Sequence, residues 1–495
     1  MDSARFEQLA REGYNRIPVW RSIAADLDTP LSVYLKLADG PNAFLLESVE
    51  GGENWGRYSI IGLPCRRSWR ATGRKLEALE YGRVIERADD VDPLTEIDAL
   101  IKSRQAPELD ELPGFAGGLV GYFGYETVAH LEPKLDFSAK PDELGVPEIL
   151  LLEAEELAVF DNLAGRLYLI VNADPDEPRA WDTACRRLDQ LTHRLRCGSP
   201  GYPPAPAETP NEDDFRFGFA EKDFKDAVAR IKQYILDGDT MQVVLSQRMS
   251  VDLAARPLDV YRALRSLNPS PYMYFFDFHD ERGDFQVVGS SPEVLVRVSD
   301  REAMVRPIAG TRPRGKTAEE DRRLEEELKA DPKELAEHLM LIDLGRNDIG
   351  RIAATGTVEL TDRMVIERYS HVMHLVSEVH GQLDTDMSAI DVLRATFPAG
   401  TLSGAPKVRA MEILNELEPV RRGVYAGAVG HLDWHGNADL AIAIRTALVK
   451  DHTLHLQAGA GIVADSDPQA EWEETMNKGR ALIRAVAEAG GGLHR

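Results

Sequence analysis

Short runs of alternating apolar and polar residues fill the first two hundred positions of the chain and predict a region built mainly of β-strands. Four such runs are LSVYLKL, AFLLES, YSIIGL and ILLLEAEELAVF, and turns rich in glycine, proline and aspartate separate them. In the second half, apolar residues spaced three or four apart predict helices with further strands between them. This mixture predicts an α+β protein with large, mostly antiparallel sheets that helices cover.

Local signals give bounds to several elements of the second half. The stretch TAEEDRRLEEELKADPKELAEHLMLIDLG predicts a long helix with a break at Pro332, because proline interrupts the helical hydrogen bonds. YMYFFDF, DLAIAIRTALV and TLHLQAGAGIV predict strands through their β-branched and aromatic content. The last helix is expected from Pro468 to about Ala489.

A stretch rich in proline, glycine and acids, residues 198–215, lacks any periodicity and is typical of an exposed linker. We therefore expect a β-rich region over residues 1–200, a linker or crossover over residues 201–218, and a second region over residues 219–495. The sequence contains no short-period internal repeat.

Composition and charge exclude several classes of protein. A net charge of −25 over 495 residues opposes binding to nucleic acids and anionic membranes, because phosphate contacts need clustered lysine and arginine. Three cysteines without CxxC spacing, Cys65, Cys185 and Cys197, predict neither a disulfide framework nor a zinc site. The chain has no signal-peptide core and no apolar run of roughly 18 residues, so we expect a cytoplasmic protein without a membrane partner.

The segment AGAGIVADSDPQAEWEETMNK, residues 458–478, joins a glycine-rich turn to the start of a helix. Gly459 and Gly461 would let a ligand approach the backbone closely, and the following helix start would present free amides to an anion. Glu471 and Glu474 share one face of that helix. A capped surface helix with a solvated acidic side is the alternative.

A second pair of carboxylates, Glu334 and Glu337, has the same spacing on the predicted helix that continues into the apolar sequence LIDLG. Two such faces could meet around one cation, and oxygen ligands of this kind suit Mg²⁺ better than zinc. A solvated face is again the alternative.

Arg445 lies within the apolar run AIAIRTALV, where a buried charge requires an anionic partner from the protein or a ligand. His374 lies in the alternating sequence SHVMHLVSEV and is equally compatible with a hydrogen-bonded core histidine. Two loops with small and hydroxyl residues, PIAGTRPRG and PAGTLSGAPKVR, would direct amides and hydroxyls toward an anion or form plain capped turns.

Taken together, six motifs between Val243 and Arg480 resemble those of chorismate-utilising enzymes and occur in the order of that family. They are SSPE, PIAGTRPRG, AEHLMLIDLGRNDIGR, HVMHLVSEV, PAGTLSGAPKVRAMEI and AGAGIVADSDPQAEWEETMNK. LLES and GRYS near the N-terminus are similar to the large subunits of anthranilate synthases. The resemblance implies a two-subdomain α/β sandwich in one intertwined fold, with a regulatory site in residues 1–200 and a Mg²⁺-dependent reaction on chorismate in residues 219–495.

The resemblance also implies roles for individual residues. The metal ligands would be Glu337 and Glu474, with Glu334 and Glu471 beside them. The ring carboxylate of chorismate would be bound by Gly310, Thr311 and Gly461. The enolpyruvyl carboxylate would be bound by Tyr425, Arg445 and Gly459, and Lys478 would add positive charge or form a structural ion pair. The catalytic residues would be Glu293 as the general acid and His374 and Thr401 in the elimination, although Thr401 is also compatible with a structural role.

Two positions indicate which nucleophile attacks the ring. Relatives that activate water carry a lysine where this chain has Gln242, and relatives that attack with a lysine carry it where this chain has Ala309. Ammonia remains, and the resemblance implies a hetero-oligomer with a separate glutamine amidotransferase subunit that supplies it. An enzyme of the aminodeoxyisochorismate synthase type, which stops before pyruvate loss, is the alternative activity.

LLES and NPSPYM resemble the site at which tryptophan inhibits anthranilate synthases. The implied inhibitor-binding residues are Glu47, Ser48, Asn268, Pro271, Tyr272 and Met273. A catalytically inactive relative that only binds tryptophan is a further alternative. The presence of the charged residues assigned to the site opposes it.

Overall fold

The computed structural model describes residues 1–49, 56–198, 209–368 and 372–493. Its α-helices are α1 (Ser3–Arg11), α2 (Pro30–Leu37), α3 (Pro93–Ser103), α4 (Ala180–Cys197), α5 (Glu221–Leu236), α6 (Pro257–Leu267), α7 (Ala318–Ala330), α8 (Pro332–Gly350), α9 (Ala389–Thr396), α10 (Gly400–Ser403), α11 (Lys407–Leu417) and α12 (Pro468–Gly490). Two short 3₁₀ helices cover Tyr125–His130 and Glu212–Asp214.

The strands of the first half are β1 (Ile17–Ala24), β2 (Ala43–Glu47), β3 (Tyr58–Gly62), β4 (Arg67–Thr72), β5 (Lys75–Glu80), β6 (Arg83–Asp89), β7 (Gly118–Phe123), β8 (Ile149–Glu153), β9 (Glu156–Asp161) and β10 (Arg166–Ala173). Those of the second half are β11 (Arg216–Phe217), β12 (Gln242–Asp252), β13 (Tyr272–Asp280), β14 (Gly283–Ser291), β15 (Val294–Ser299), β16 (Glu302–Val305), β17 (Ile308–Pro313), β18 (Glu359–Leu360), β19 (Val365–Arg368), β20 (Val372–Val376), β21 (Val379–Gln382), β22 (Gly404–Ala405), β23 (Ala428–Asp433), β24 (Ala438–Ile442), β25 (Thr446–Lys450) and β26 (Thr453–Ile462).

Two large antiparallel sheets and one small sheet organise these strands, which confirms the predicted fold class. The first sheet has the order β1-β10-β9-β3-β2-β13-β14-β25-β26-β12-β11, with β22 also paired to β12. The second sheet has the order β18-β21-β16-β15-β24-β23-β7-β8-β4-β5-β6, and the third has the order β17-β20-β19.

Both large sheets combine strands from either side of the predicted linker. In the first sheet β2 pairs with β13, and in the second β7 pairs with β23. The two halves of the chain are therefore interleaved. The boundaries at residues 200 and 218 stay predictions, and residues 201–208 of the linker lie outside the described residues.

The prediction of a strand at LSVYLKL is wrong, because this segment forms helix α2. The hydroxyl of Thr29 accepts a hydrogen bond from the Ser32 amide, and the hydroxyl of Ser32 accepts one from the Thr29 amide. This reciprocal cap fixes the helix start. Val33 and Leu37, four residues apart, are buried on one helical face. In so short a segment, this apolar spacing fits the period of a helix and the period of a strand equally well.

The predicted break at Pro332 is confirmed, since α7 ends at Ala330 and α8 begins at the proline. The last helix also begins at Pro468 as predicted, and the Asp467 side chain caps it by accepting hydrogen bonds from two backbone amides. Among the described residues, no helix combines the length and the apolarity needed to cross a membrane.

The run DLAIAIRTALV is not one strand as predicted but two, in different sheets. Strand β24 belongs to the second sheet and β25 to the first, and the chain crosses between them at residues 443–445. Arg445 lies in this crossover with a left-handed φ of +48°, rather than in the middle of a strand. Both strands are buried, so the apolar run continues across the crossover. The sequence therefore does not mark where one strand ends and the next begins.

Candidate active site

Two neighbouring crossovers between the large sheets bring the first site residues together. Glu293 lies between β14 and β15, and Arg445 lies between β24 and β25. The Ile442 amide donates a hydrogen bond to the Glu293 carbonyl at 3.0 Å, and the Ser290 amide donates one to the Arg445 carbonyl at 3.1 Å. These backbone bonds hold the two crossovers against each other.

The carboxyl group of Glu293 is poised to exchange a proton near neutral pH. Burial raises its pKa to about 7, although a hydrogen bond from Thr401 and the charges of Arg445 and Lys478 act in the opposite direction. The Thr401 hydroxyl donates to Glu293 Oε1 at 3.0 Å. The structure therefore places the predicted general acid beside three of the predicted site residues.

A buried arginine that the sequence did not indicate supports this arrangement. Arg422 donates hydrogen bonds to the carbonyls of Leu402, next to Thr401, and of Val244 in β12. Its guanidinium also lies 5.5 Å from the centre of the Tyr425 ring. Arg422 thus connects the short helix α10, strand β12 and the predicted substrate-binding tyrosine. The loop sequence around it carries no apolar pattern that would predict full burial.

His374 in β20 contacts the neighbouring strand β17, which forms within the predicted loop PIAGTRPRG and carries two predicted ligands of the ring carboxylate. Its Nδ1 lies 2.9 Å from the Gly310 carbonyl and 3.2 Å from the Thr311 hydroxyl. A carbonyl only accepts, so Nδ1 carries the ring proton and the lone pair of the neutral imidazole is on Nε2. Burial lowers the pKa of His374, which favours this neutral form.

Gly310 occupies a bulge that only a residue without a side chain fits well. Its φ is +65°, and the β17 register shifts between Ala309 and Thr311. A β-carbon at this position would lie 2.9 Å from Leu328 Cδ1 and 3.2 Å from Glu334 Oε2. The bulge therefore lies directly against the acidic face of α8.

Gly459 and Gly461 in β26 lie opposite Ser246 and Val244 of β12. A β-carbon on Gly459 would lie 2.8 Å from the Tyr425 hydroxyl, and one on Gly461 would lie 2.7 Å from the Gln242 side-chain nitrogen. A side chain at either glycine would therefore collide with a polar side chain of the protein, and the close approach of a ligand to these glycines stays a prediction.

Lys478 joins this strand to the acidic helix. Its Nζ donates to the Gly459 carbonyl at 2.9 Å and lies 2.7 Å from Glu474 Oε1. The lysine and the glutamate are each about half exposed, at 51% and 47% of the side-chain surface. The positive charge predicted beside the metal site is therefore present, as part of an ion pair.

Glu337 of α8 and Glu474 of α12 lie close enough to interact electrostatically, so the two predicted acidic faces are near each other. Burial raises the pKa of Glu337, and Glu334 and Glu474 raise it further, while Gln242 donates a hydrogen bond to its side chain. Burial and Glu474 also raise the pKa of Glu471. A divalent cation fits such a set of mutually repelling oxygen ligands.

Within the described ranges, no three His, Cys, Asp or Glu side chains converge into a complete metal site. A cation held by Glu337 and Glu474 would therefore take its remaining ligands from water and substrate. This is the usual arrangement for Mg²⁺, which retains several waters and binds one or two protein carboxylates.

A cavity of about 880 Å³ lies away from these residues, between the two large sheets. Five of the six predicted inhibitor-binding residues line it: Glu47, Ser48, Pro271, Tyr272 and Met273. Asn268 is not part of this lining, and its side-chain amide donates to the Ser290 hydroxyl at 2.9 Å. The structure therefore groups all but one of these residues around one cavity.

The carboxylate of Glu47 is engaged on the helix-covered side of β2. Arg265 of α6 donates to both of its oxygens, at 3.0 and 3.1 Å, and the Tyr261 hydroxyl donates at 2.5 Å. The Ser48 hydroxyl, in contrast, is buried without a hydrogen-bond partner among the described residues. Of these two predicted contacts, Ser48 has the polar atom that a ligand would satisfy.

Comparisons with known proteins agree with this geometry. Residues 46–484 match the chorismate binding enzyme family. The chain is 57% identical over 493 residues to anthranilate synthase component 1 of Pseudomonas putida and 58% identical over 496 residues to that of Pseudomonas aeruginosa, with 99% of each chain covered in both cases.

Solved structures give the same result. Anthranilate synthase component I from Streptococcus pneumoniae aligns with a TM-score of 0.78 and 38% identity over 93% of this chain and 99% of that one. The isochorismate synthase MenF of Escherichia coli aligns with a TM-score of 0.70 over 98% and 99% of the two chains, and its 19% identity supports the fold alone. The chain belongs to the chorismate binding enzyme family, as a member of the anthranilate synthase component 1 type.

Proposed function

We propose that the chain aminates chorismate at ring carbon 2 with ammonia and then eliminates pyruvate to give anthranilate, the first committed step of tryptophan biosynthesis. The observation that carries this proposal is the partly buried Glu293 carboxyl, which accepts a hydrogen bond from Thr401 and has a pKa of about 7 that suits a proton donor, within reach of the charges of Arg445 and Lys478. The names of the relatives, which call each a component 1, further support a chorismate substrate and a partner component.

In the first step, ammonia bonds to carbon 2 while the hydroxyl at carbon 4 departs. Glu293 donates its proton to that oxygen, so the group leaves as water rather than as hydroxide. Thr401 holds Oε1 of the carboxyl group through its own hydroxyl proton. The acidic proton is then carried by Oε2, the oxygen that does not accept the hydrogen bond from the threonine.

The two carboxylates of chorismate would bind at separate places. Arg445, Tyr425 and Gly459 would receive the enolpyruvyl carboxylate, and binding there would neutralise one of the charges that hold down the pKa of Glu293. The ring carboxylate would lie near Gly310, Thr311 and Gly461. Substrate binding would therefore raise the protonated fraction of the general acid.

Glu337 and Glu474 would hold Mg²⁺ beside the ring carboxylate. When bound, the cation would supply positive charge that offsets the repulsion between the substrate and the acids of α8 and α12. The raised pKa of Glu337, caused by burial and by its acidic neighbours, supports this assignment.

In the second step, the aminated ring loses the proton at carbon 2 and the enolpyruvyl oxygen leaves carbon 3. His374 would accept the ring proton at Nε2, because its Nδ1 proton is held by the Gly310 carbonyl. Elimination makes the ring aromatic and releases pyruvate. An enzyme without this step would stop at aminodeoxyisochorismate.

Ammonia as the nucleophile follows from the residues at two positions. Gln242 donates a hydrogen bond to Glu337 and cannot act as a general base for water, and Ala309 offers no amine for attack on the ring. We infer that a glutamine amidotransferase subunit supplies the ammonia within a hetero-oligomer.

We also propose that tryptophan binds in the 880 Å³ cavity and inhibits the enzyme. The Ser48 hydroxyl, which has no hydrogen-bond partner in the described part of the chain, and the aromatic and apolar lining by Tyr272 and Met273 support an amino acid with a large apolar side chain as the ligand. Tyr58 and Phe115 extend that apolar lining.

Product analysis tests the proposed activity. Incubation of the chain with chorismate, Mg²⁺ and ammonium at mildly alkaline pH should give fluorescent anthranilate and pyruvate in equal amounts, and a chelator should abolish both. A non-aromatic amino product would replace the proposal with the aminodeoxyisochorismate alternative. Isochorismate would show that water is the nucleophile, and tryptophan binding without turnover would indicate a regulator.

A further inference from the structure

Three side chains in the wall of the 880 Å³ cavity form a hydrogen-bonded triad. The Tyr272 hydroxyl donates to Asp439 Oδ1 at 2.8 Å, and Arg297 donates to Asp439 Oδ2 at 2.8 Å. The guanidinium of Arg297 also lies 3.4 Å from the Tyr272 hydroxyl. We call these residues the Tyr272–Asp439–Arg297 triad.

The triad joins the two large sheets, because its members come from three strands. Tyr272 begins β13 of the first sheet, whereas Arg297 in β15 and Asp439 in β24 lie opposite each other in the second sheet. A ligand in the cavity that contacts the Tyr272 ring would thus affect both sheets, because the Asp439 carboxylate binds Tyr272 of the first sheet and Arg297 of the second.

Each of these strands leads directly to the candidate active site. Tyr272 is paired with Ser291, two residues before Glu293, and β15 begins immediately after Glu293. Strand β24 ends at Ile442, whose amide binds the Glu293 carbonyl, and continues into the crossover that contains Arg445. Along the chain, Arg297 lies four residues after Glu293, and Asp439 lies six residues before Arg445.

We propose that the Tyr272–Asp439–Arg297 triad couples occupancy of the cavity to the relative position of Glu293 and Arg445. The triad holds β13, β15 and β24 in one arrangement, and a ligand that displaces the tyrosine shifts the crossovers against each other. A ligand changes activity only if it binds the two arrangements with different affinity, and the triad supplies a contact that differs between them. The inference rests on the proposed binding of tryptophan in the cavity.

Another arginine of the same wall provides a matched control. Arg57 lines the cavity and forms an ion pair with Asp161 at 2.9 Å. Asp161 pairs with Tyr58, so this ion pair connects neighbours of the first sheet only. Replacing Arg57 removes an equal charge from the wall without cutting the connection between the sheets.

The test compares Arg297→Met with Arg57→Met and with the unsubstituted chain. Tryptophan binding is measured by equilibrium dialysis with labelled tryptophan, and anthranilate formation is measured with ammonium and Mg²⁺ at saturating tryptophan. We expect Arg297→Met to bind tryptophan with an affinity within about threefold of that of the unsubstituted chain. At saturating tryptophan, Arg297→Met should retain at least about half of its uninhibited rate, whereas the unsubstituted chain should retain about a tenth or less. Arg57→Met should remain fully inhibited once its sites are filled.

Two outcomes would overturn the proposal. In one, Arg297→Met is inhibited as fully as the unsubstituted chain. In the other, it loses binding and inhibition in proportion, so that the arginine only binds the ligand. If Arg297→Met is unstable, Asp439→Asn replaces it, since this variant keeps an oxygen for Tyr272 but loses the charge that binds Arg297. Asp439→Asn should likewise bind tryptophan and retain at least about half of its uninhibited rate.

The same assays separate this inference from the proposed function. If the unsubstituted chain forms anthranilate but neither binds tryptophan nor is inhibited by it, the proposed regulation and the coupling both fail while the activity stands. If it binds tryptophan and forms no anthranilate, the proposed activity fails instead.

Discussion

The candidate active site and the cavity lie along the same strands, and their carboxyl groups have different hydrogen-bond partners. In the active site, Glu293 receives a hydrogen bond from the neutral hydroxyl of Thr401, and burial raises its pKa to about 7. Around the cavity, Asp439 and Glu47 each bind an arginine within 3.0 Å. The first group can exchange a proton during a reaction, whereas the others serve as fixed connections between elements.

This difference has opposite consequences for stability. A buried carboxyl without a cationic partner favours the protonated form, so ionisation works against folding. A carboxylate paired with an arginine loses favourable contacts when its charge is removed. The raised pKa of Glu293 therefore costs stability at alkaline pH, whereas the pairing of Glu47 with Arg265 contributes stability.

The largest expected effect follows from replacing the general acid. Glu293→Gln should lower kcat by about 1,000-fold, because a Brønsted acid at the leaving oxygen contributes roughly 10²–10⁴ in rate. The folded pKa of about 7 lies above the ordinary value of 4.5, so stability falls as pH rises between these values. The variant should therefore melt at a higher temperature than the unsubstituted chain at pH 8, and not at pH 5.

Glu47→Gln is the matched control for this prediction. It removes the charge that Arg265 binds and replaces one of the two acceptor oxygens by an NH₂ donor, so it should lower stability by about 1–3 kcal/mol at pH 8, with little effect on uninhibited turnover. Calorimetry at both pH values makes the comparison. Destabilisation of both variants at pH 8 would refute the distinction drawn between the two carboxyl groups.

A smaller effect is expected where the backbone must approach the substrate. Gly459→Ala places a β-carbon 2.8 Å from the Tyr425 hydroxyl and 3.0 Å from the Leu245 carbonyl, so the strand or the tyrosine must shift. We expect kcat/KM for chorismate to fall about 100-fold. Gly350→Ala, where the new carbon contacts nothing within 4 Å, should leave kcat/KM unchanged. Equal losses in both variants would contradict the assignment.

The smallest effect concerns the partner of the general acid. The Thr401 hydroxyl lowers the pKa of Glu293, so Thr401→Val should raise that pKa further above 7. The alkaline limb of the kcat/KM profile, calculated per unprotonated ammonia, should move to higher pH while kcat falls about tenfold. Thr401→Ser retains the hydroxyl and should keep the profile. An unshifted limb in Thr401→Val would mean that another group limits the rate.

The sequence predicted the fold class and the local elements that carry the candidate site residues, because those features depend on short local patterns. The carboxylate pairs of α8 and α12, the glycines of β26 and the break at Pro332 are each visible within a few residues. Family motifs then identified which of these belong together. Product, metal and inhibitor remain predictions that the experiments above address.

Other features depend on contacts between distant residues and could not be predicted. The crossover at Arg445 lies within a continuous apolar run, because both adjoining strands are buried, and so the apolar pattern does not reveal it. The triad joins Tyr272, Arg297 and Asp439 from three separate segments, and the burial of Arg422 depends on α10 and β12. Helix α2 was missed because an eight-residue segment is too short to separate the two apolar periods.

The proposed role of Glu293 requires that its carboxyl group keeps its proton near neutral pH. Infrared difference titration of the unsubstituted chain against Glu293→Gln isolates the carboxyl band of this residue. We expect a band that disappears with a midpoint near pH 7 and moves to higher pH in Thr401→Val. A midpoint near pH 4.5, the ordinary value for glutamate, would contradict the assignment of Glu293 as the general acid.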